Sequence, residues 1–341
     1  MNPIALGFAV VVLAALFQGS FAVPMAYARG WAWENSWMAF SVLGMIVLNV
    51  VFALAAVPML FGVYGAASPG DIVMPALWGV VWGVGAIGFG LGITSAGLAL
   101  GYAILLGTVL SMGTFIPMVA LHPEEILTAR GVAVIAGLAV CLAGIALSGY
   151  AGILKEREQG GSAGEITKAG RFPVKVGIII CFVAGICSSV INIGFSLSGG
   201  LVETALSEGA PPLWAGNVIW VLMFTSGGIL NIGYCGYLMG RNATAARYGD
   251  STLKNTVLLF LMSAMWIGSF ILYGVGATMM GSWGTIIGWS VYMALSIALA
   301  NIWGIVQGEW RGASGRSKTV MAWGLAVIFA AIVVFAVGGA M

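Results

Sequence analysis

The stretch WGVGAIGFGLG, residues 82–92, allows two opposite interpretations of this chain. Its glycines from Gly83 to Gly88 match G-x-G-x-x-G, the spacing of a loop that binds dinucleotides. Such a loop needs a preceding strand in a βαβ unit and an acidic residue about 20 positions further on. Here the glycines lie within an apolar run from Ile72 to about Ile93. The residue 20 positions after Gly88 is Thr108, which is not acidic. We therefore expect the glycines to line a membrane helix, where small residues let neighbouring backbones approach.

The composition of the whole chain favours the membrane interpretation. Of its 341 residues, 61% are hydrophobic and only 7% are charged, and the mean hydropathy is +1.06. Soluble domains carry roughly 25% charged residues. A chain with so few charges cannot cover a globular domain with a water-facing surface.

Residues that commonly bind metals or act as nucleophiles are few and scattered. The single histidine, His122, stands next to Pro123 and two glutamates, and we expect it to be a solvated loop residue. The cysteines have neither a metal-ligand nor a disulfide spacing, and all four lie in apolar segments: Cys141, Cys181, Cys187 and Cys235. The sequence therefore predicts no catalytic residue, no metal site and no bound cofactor.

Apolar segments long enough to cross a bilayer recur along the chain. A helix of about 20 apolar residues spans the hydrocarbon core. The sequence predicts an all-α polytopic membrane protein with ten transmembrane helices, at 4–26, 37–60, 72–94, 97–120, 130–151, 174–197, 213–237, 255–277, 281–306 and 319–340. The polar stretch 153–172 is predicted to be a linker between an N-terminal five-helix half, 1–152, and a C-terminal five-helix half, 173–341.

The basic residues predict how these helices are oriented. All of the 13 Lys and Arg residues except Arg130 lie in the loops that follow helices 1, 3, 5, 7 and 9. Such loops face the cytoplasm in membrane proteins. The linker 153–172 is therefore predicted to be cytoplasmic, and both termini periplasmic.

The two halves also share sequence. At an offset of 184, Trp82 aligns with Trp266, and FGLGI aligns with YGVGA; GLAV at 137–140 recurs at 324–327, an offset of 187. Two homologous halves with five helices each must insert with opposite orientations. This five-plus-five inverted repeat is the plan of secondary transporters, whose substrates bind near the midplane between the halves.

Several motifs together resemble the L-rhamnose–proton symporter family of the drug/metabolite transporter superfamily. They are WAWENSW at 31–37, WGVGAIGFGLGITSAGLALG at 82–101, YAGILKERE at 150–158, LNIGYCGY at 230–237 and GEWRGASGRSK at 308–318. The resemblance runs the length of the chain in order. It implies ten helices in an inverted repeat, alternating access, and import of L-rhamnose or an L-fucose-like 6-deoxy sugar by cation symport across a bacterial inner membrane.

The chain departs from this family where the coupling ion is concerned. Members can carry an acidic residue just before a Ser-Trp pair in the ninth helix, but here the stretch is WGTIIGWS, 283–290, with Thr285 where the acid would fall. No Asp or Glu lies in the core of a predicted span. The co-transported ion is thus a proton or a sodium ion, the latter held by carbonyl and hydroxyl oxygens, and facilitated diffusion is a further alternative.

Two carboxamides and several aromatic residues are candidates for binding a sugar. Gln18 and Asn192 lie at mid-depth in corresponding helices, and a carboxamide both donates and accepts hydrogen bonds. Trp266 and Tyr273 share one face of the eighth helix and could sandwich a sugar ring with Trp82. The remaining candidates are Trp289 and Tyr292 in the ninth helix and Tyr102 in the fourth. Interhelical hydrogen bonding and aromatic packing are the alternative roles of these residues.

Other functions fit the sequence less well. The same fold could export or exchange another small neutral metabolite. A membrane-embedded enzyme would need clustered acids for a metal or a general base, and only Glu124 and Glu125 form such a cluster. We expect a small neutral sugar and the lipid bilayer as partners, no nucleic acid, and a monomer or a weak dimer.

Overall fold

A computed structural model describes residues 2–159 and 173–341 of the chain. Ten long helices dominate it, and within the described ranges all ten are long and apolar enough to cross a membrane. They are α1 Pro3–Ser20, α2 Trp33–Ala56, α3 Pro69–Ala96, α4 Leu98–Leu121, α5 Ala129–Glu158, α6 Val174–Leu197, α7 Asn217–Asn242, α8 Thr252–Met279, α9 Gly284–Val306 and α10 Gly315–Ala340. The predicted fold class, an all-α polytopic membrane protein, is confirmed.

Several helix ends differ from the prediction by a few residues. The first helix, predicted to reach residue 26, ends at Ser20 and is followed by a 3₁₀ turn at Pro24–Tyr27, and two other differences have local reasons. Helix α2 ends at Ala56 because Val57 precedes a proline, which disfavours the helical conformation, and a short helix Leu60–Ala66 follows. Helix α5 continues to Glu158, so the first residues of the predicted linker 153–172 are helical. These residues are good helix formers, and Lys155 and Arg157 favour the negative end of the helix dipole. The rest of that prediction, 160–172, lies outside the described residues.

A single residue joins α3 to α4. Gly97 separates Ala96 from Leu98 and has φ +90°. Glycine adopts this conformation without the steric cost that a side chain would bring. The join between the third and fourth spans is therefore shorter than a loop.

The described residues form two compact units. Unit 1 comprises Met1–Val84 and Gly194–Ser282, and unit 2 comprises Gly85–Ile193 and Trp283–Met341, each over its described residues. Both units contain helices from the N-terminal and the C-terminal half of the sequence. The units therefore do not coincide with the halves 1–152 and 173–341. The division into those two halves stays a prediction from the sequence repeat.

Helices α5 and α10 pack antiparallel through glycines in unit 2. A Cβ atom on Gly137 would lie 2.5 Å from the ring of Phe335, and a Cβ on Gly324 would lie 2.9 Å from the backbone nitrogen of Ser148. The offset of 187 relates Gly137 to Gly324 and Ser148 to Phe335. The offset therefore converts one contact into the other, since the pair Gly137 and Phe335 becomes the pair Gly324 and Ser148. An inverted repeat produces such pairs of equivalent contacts.

Gly85, Gly88 and Gly92 of the stretch 82–92 pack against α6 in unit 2. A Cβ on Gly85 would lie 2.8 Å from the backbone nitrogen of Ser188, and one on Gly92 would lie 2.7 Å from the Sγ of Cys181. Such distances leave no space for a side chain. The prediction that these glycines serve helix packing is confirmed.

Unit 1 contains a corresponding pair, α1 and α8. A Cβ on Gly7 would lie 2.8 Å from the carbonyl oxygen of Gly276, and a Cβ on Gly276 would lie 2.8 Å from the carbonyl oxygen of Gly7. The offset of 184 relates Gly92 to Gly276. Equivalent glycines of the two halves therefore make the close helix contacts, Gly92 with α6 in unit 2 and Gly276 with α1 in unit 1.

Replacing a packing glycine should destabilise the protein, whereas replacing a surface glycine should not. We expect Gly144→Ala to lower the free energy of unfolding by about 1–3 kcal/mol through overpacking, because its Cβ would lie 2.7 Å from Ile328 and 3.0 Å from the oxygen of Gly324. Gly233→Ala in α7 meets nothing within 4 Å and should stabilise by up to about 1 kcal/mol. Unfolding in mixed micelles titrated with SDS measures both, and equal effects would refute the packing role.

Candidate functional site

Two of the predicted aromatic residues meet in unit 1. The rings of Trp82 and Trp266 stack with centroids 5.9 Å apart and planes 26° apart. A ring held between two others needs about 7 Å between them, two carbon–carbon contacts of about 3.5 Å. The sandwich of a sugar between these two tryptophans is therefore wrong for this structure. Trp266 is almost fully buried, whereas Trp82 is half-buried and keeps part of its surface accessible.

Gln18 of α1 is connected to Trp266 through Ser269. Its Oε1 accepts a hydrogen bond of 2.8 Å from the hydroxyl of Ser269, and that hydroxyl also lies 2.6 Å from the carbonyl oxygen of Trp266. The amide nitrogen of Gln18 has no hydrogen-bond partner among the described residues. Gln18 is half-buried, so its two N–H groups remain available to a ligand. The structure thus links Gln18 to Trp266 through Ser269, and Trp266 to Trp82 through the ring stack.

Tyr273, the fourth candidate of unit 1, has a different environment. It is fully buried, with its ring 5.9 Å from that of Phe195 and 6.4 Å from that of Trp220. The rings of Phe195 and Trp220 stack at 4.3 Å. Tyr273 therefore belongs to an aromatic core in this structure and exposes no surface to a ligand.

Asn192 of α6 compensates for a proline in unit 2. Pro117 in α4 has no N–H, so the carbonyl of Gly113, four residues earlier, loses its usual helical donor. The amide of Asn192 donates to this oxygen at 2.7 Å and to the carbonyl oxygen of Thr285 in α9 at 3.0 Å. Asn192 thereby links three helices, and both of its N–H groups are occupied.

The other candidates of unit 2 fall into a buried group and an exposed residue. Trp289 and Tyr292 of α9 are almost fully buried, with ring centroids 5.5 Å apart. The indole nitrogen of Trp289 lies 3.5 Å from the carbonyl oxygen of Val109 in α4. Tyr102 is 39% exposed and contacts the ring of Phe89 edge-on at 5.1 Å. Asn192 and Trp289 thus meet adjacent turns of α4, whereas Tyr102 lies about two turns earlier.

Glu34 is a further functional candidate, and the structure is what reveals it. It stands among the interfacial tryptophans at the start of α2, yet it is only 6% exposed. Its Oε1 accepts hydrogen bonds from the amide of Asn242 at 3.0 Å and from the hydroxyl of Thr244 at 2.8 Å. Over residues 2–159 and 173–341, no other Asp, Glu, Lys or Arg is buried to this degree. The charge alone could have drawn attention to it, but only the fold shows the burial.

His122 lies in the connection between α4 and α5, as predicted, but the prediction that it is solvated is wrong. Its side chain is only 12% exposed, its ring stacks on Trp283 at 4.7 Å, and its Nδ1 lies 3.0 Å from a carboxylate oxygen of Glu125. The second oxygen of Glu125 accepts from the indole N–H of Trp283 at 3.1 Å. His122, Glu124 and Glu125 have the spacing of metal ligands, but both oxygens of Glu125 already have partners. The cluster instead holds the α4–α5 connection against the start of α9.

The role of Asn192 at the proline can be tested with a double-mutant cycle. We expect Asn192→Leu to lower the free energy of unfolding by about 1.5 kcal/mol, near the upper end for buried hydrogen bonds in membranes. In a Pro117→Ala background the same change should cost less, because residue 117 then donates to Gly113. Unfolding in SDS-titrated micelles gives both values, and an equal cost in the two backgrounds would show that Asn192 acts elsewhere.

Comparison with known proteins places these units in a family. The sequence model of the L-rhamnose-proton symport protein matches residues 1–341. Curated relatives named L-rhamnose-proton symporter, from Escherichia coli O1:K1 / APEC and from Shigella dysenteriae serotype 1 (strain Sd197), are 26% identical over 345 residues, covering 99% of this chain and 98% of each relative. A full-length match of this kind, with ten membrane-spanning helices, shows that the chain belongs to the L-rhamnose-proton symport protein family.

Proposed function

We propose that this protein imports a neutral 6-deoxy sugar, L-rhamnose or an L-fucose-like sugar, together with a proton across a bacterial inner membrane by alternating access. The observation that carries the proposal is the match of the whole chain to a family described by L-rhamnose–proton symport. The described spans carry very few charges, which suits a neutral substrate. A neutral sugar gains nothing from the membrane potential, whereas one co-transported cation gains about 2.3 kcal/mol per 100 mV, enough for more than tenfold accumulation.

The sugar site is proposed around Gln18 in unit 1. The amide N–H groups of Gln18 would donate to a sugar hydroxyl, while the accessible surface of Trp82 would pack against the C–H face of the ring. Trp266 stacks on Trp82 with ring centroids 5.9 Å apart and holds it in place. The hydroxyl of Ser269, bonded to Oε1 of Gln18, orients the carboxamide so that its nitrogen is presented to the ligand.

The substrate and the coupling ion can be identified in one assay. Purified protein in proteoliposomes should accumulate labelled L-rhamnose when an inward proton gradient is imposed, and unlabelled 6-deoxy sugars should compete. An inward sodium gradient at constant pH should have no effect. Uptake driven only by sodium would replace the proton in the proposal, and export or exchange of an unrelated metabolite without sugar uptake would overturn it.

Removing the donor of Gln18 should weaken sugar binding. We expect Gln18→Leu to raise the KM for sugar uptake by about tenfold, because one hydrogen bond contributes about 1–1.5 kcal/mol. Gln307→Leu, at the exposed C-terminal end of α9, makes the same chemical change away from the site and should leave KM unchanged. An unchanged KM for Gln18→Leu would remove this residue from the sugar site.

Glu34 is proposed as the group that binds the co-transported proton. It is the buried carboxylate of the described chain, and its two hydrogen-bond donors can hold the carboxyl group in either protonation state. Glu34→Gln keeps an acceptor oxygen but cannot ionise. We expect this variant to lose proton-driven accumulation by more than tenfold while sugar exchange across the membrane persists.

The exposed Glu203 in the short helix Gly199–Ser207 provides the matched control. Glu203→Gln removes a carboxylate without touching a buried group, so its accumulation should equal that of the unmodified protein. If Glu34→Gln also accumulates sugar normally on a proton gradient, Glu34 does not carry the proton.

A further inference from the structure

Unit 2 contains an open groove that the candidate sugar-binding residues do not line. It has a volume of about 490 Å³ and lies between α4 and α5, closed on one side by Phe182 of α6. Its wall is mostly apolar, and its side-chain polar groups are the hydroxyls of Thr108, Ser111 and Tyr150. The hydroxyl of Thr108 donates to its own helix at Ile104, whereas that of Ser111 has no hydrogen-bond partner among the described residues. These few hydroxyls are far fewer polar groups than a sugar needs. The groove therefore suits a hydrocarbon chain.

The length of the groove matches one leaflet of a bilayer. Its lining runs along α4 from Leu100 to Met112, a distance of about 18 Å at 1.5 Å per residue. Half of the hydrocarbon core of a bilayer is about 15 Å thick. An occupant of this length would reach from the middle of the membrane to its surface.

Positive charge stands at one end of the groove. On α5 the lining residues Tyr150 and Ile153 are followed at offsets of seven and four by Arg157, which therefore lies on the same helix face. On α6, Lys175 precedes Phe182 by seven residues and shares its face. The end of α5 and the start of α6 lie at the same side of the membrane because the two helices are consecutive spans. Both basic residues are exposed.

Neither Arg157 nor Lys175 forms a salt bridge within residues 2–159 and 173–341. The acid next to Arg157, Glu158, is bound to α10 instead, accepting hydrogen bonds from the hydroxyls of Ser314 at 2.6 Å and Ser317 at 2.7 Å. Tyr150 is 44% exposed near this end, where aromatic residues anchor proteins at the membrane surface.

We propose that the groove binds one anionic phospholipid. An acyl chain occupies the apolar wall between α4 and α5, and the phosphate of the headgroup lies near Arg157 and Lys175. The basic loops predict that this end faces the cytoplasm, whose leaflet attracts basic residues through its anionic lipids. The lipid would hold α5 and α6 at the point where the chain passes from one half of the sequence to the other.

Native mass spectrometry of the purified full-length protein tests the proposal. The probes are phosphatidylglycerol and phosphatidylcholine with identical acyl chains. We expect the unmodified protein to retain one phosphatidylglycerol at about tenfold higher occupancy than phosphatidylcholine, since two basic residues contribute to the headgroup contact. Equal occupancy of the two lipids would overturn the proposal.

Two variants separate the chain from the headgroup. Ala146→Phe, in the lining of α5, should reduce retention of both lipids at least fivefold. Arg157→Gln with Lys175→Gln leaves the packed wall intact and should reduce the preference for phosphatidylglycerol to about twofold or less. The matched controls, Val333→Phe on the exposed surface of α10 and Arg241→Gln in the last turn of α7, should bind as the unmodified protein does.

The variant Arg157→Gln with Lys175→Gln tests the headgroup contact even if Ala146→Phe fails to fold, because its two substitutions lie at exposed positions. An undiminished preference for phosphatidylglycerol in that variant would refute the headgroup contact. Retention that is equal in Ala146→Phe and Val333→Phe would place the lipid outside the groove.

Discussion

Contact between backbones at glycine is the interaction on which the helix arrangement depends. Lipid tails are as apolar as leucine, so burial of apolar side chains does not drive helices together in a bilayer, and close packing must do so. In unit 2, Gly144 and Gly324 bring α5 and α10 together, and in unit 1 Gly7 and Gly276 do the same for α1 and α8. A methyl group at these positions would force the helices apart.

The same solvent imposes a second constraint, since an unpaired polar group in hydrocarbon costs several kcal/mol. Asn192 satisfies the carbonyl that Pro117 leaves without a donor, and Asn49 donates to the carbonyl oxygen of Trp220 in unit 1 at 3.0 Å. Such carboxamides serve the fold. Gln18 differs because its N–H groups have no partner in the described chain, and this difference makes it the strongest candidate for a ligand contact.

The candidate site could be predicted only in part. The polar and aromatic residue types in corresponding helices pointed to Gln18, Trp82 and Trp266, which the structure links through Ser269 and the ring stack. The same criteria also selected Tyr273 and Tyr292, which are buried in the core. Helical spacing shows which residues share a face but not what that face contacts. A face that packs against another helix therefore cannot be distinguished in sequence from one that binds a ligand.

Composition and apolar run length were sufficient to establish a membrane protein with ten helices, because a bilayer accepts few other structures and sets their length. The matched motifs, FGLGI with YGVGA and GLAV at 137–140 with GLAV at 324–327, indicated the repeat. The contacts at the ends of the spans depended on the fold: the burial of Glu34, the stacking of His122 on Trp283, and the groove between α4 and α5. Each arises where segments distant in sequence meet, and periodicity within one segment carries no information about its neighbours.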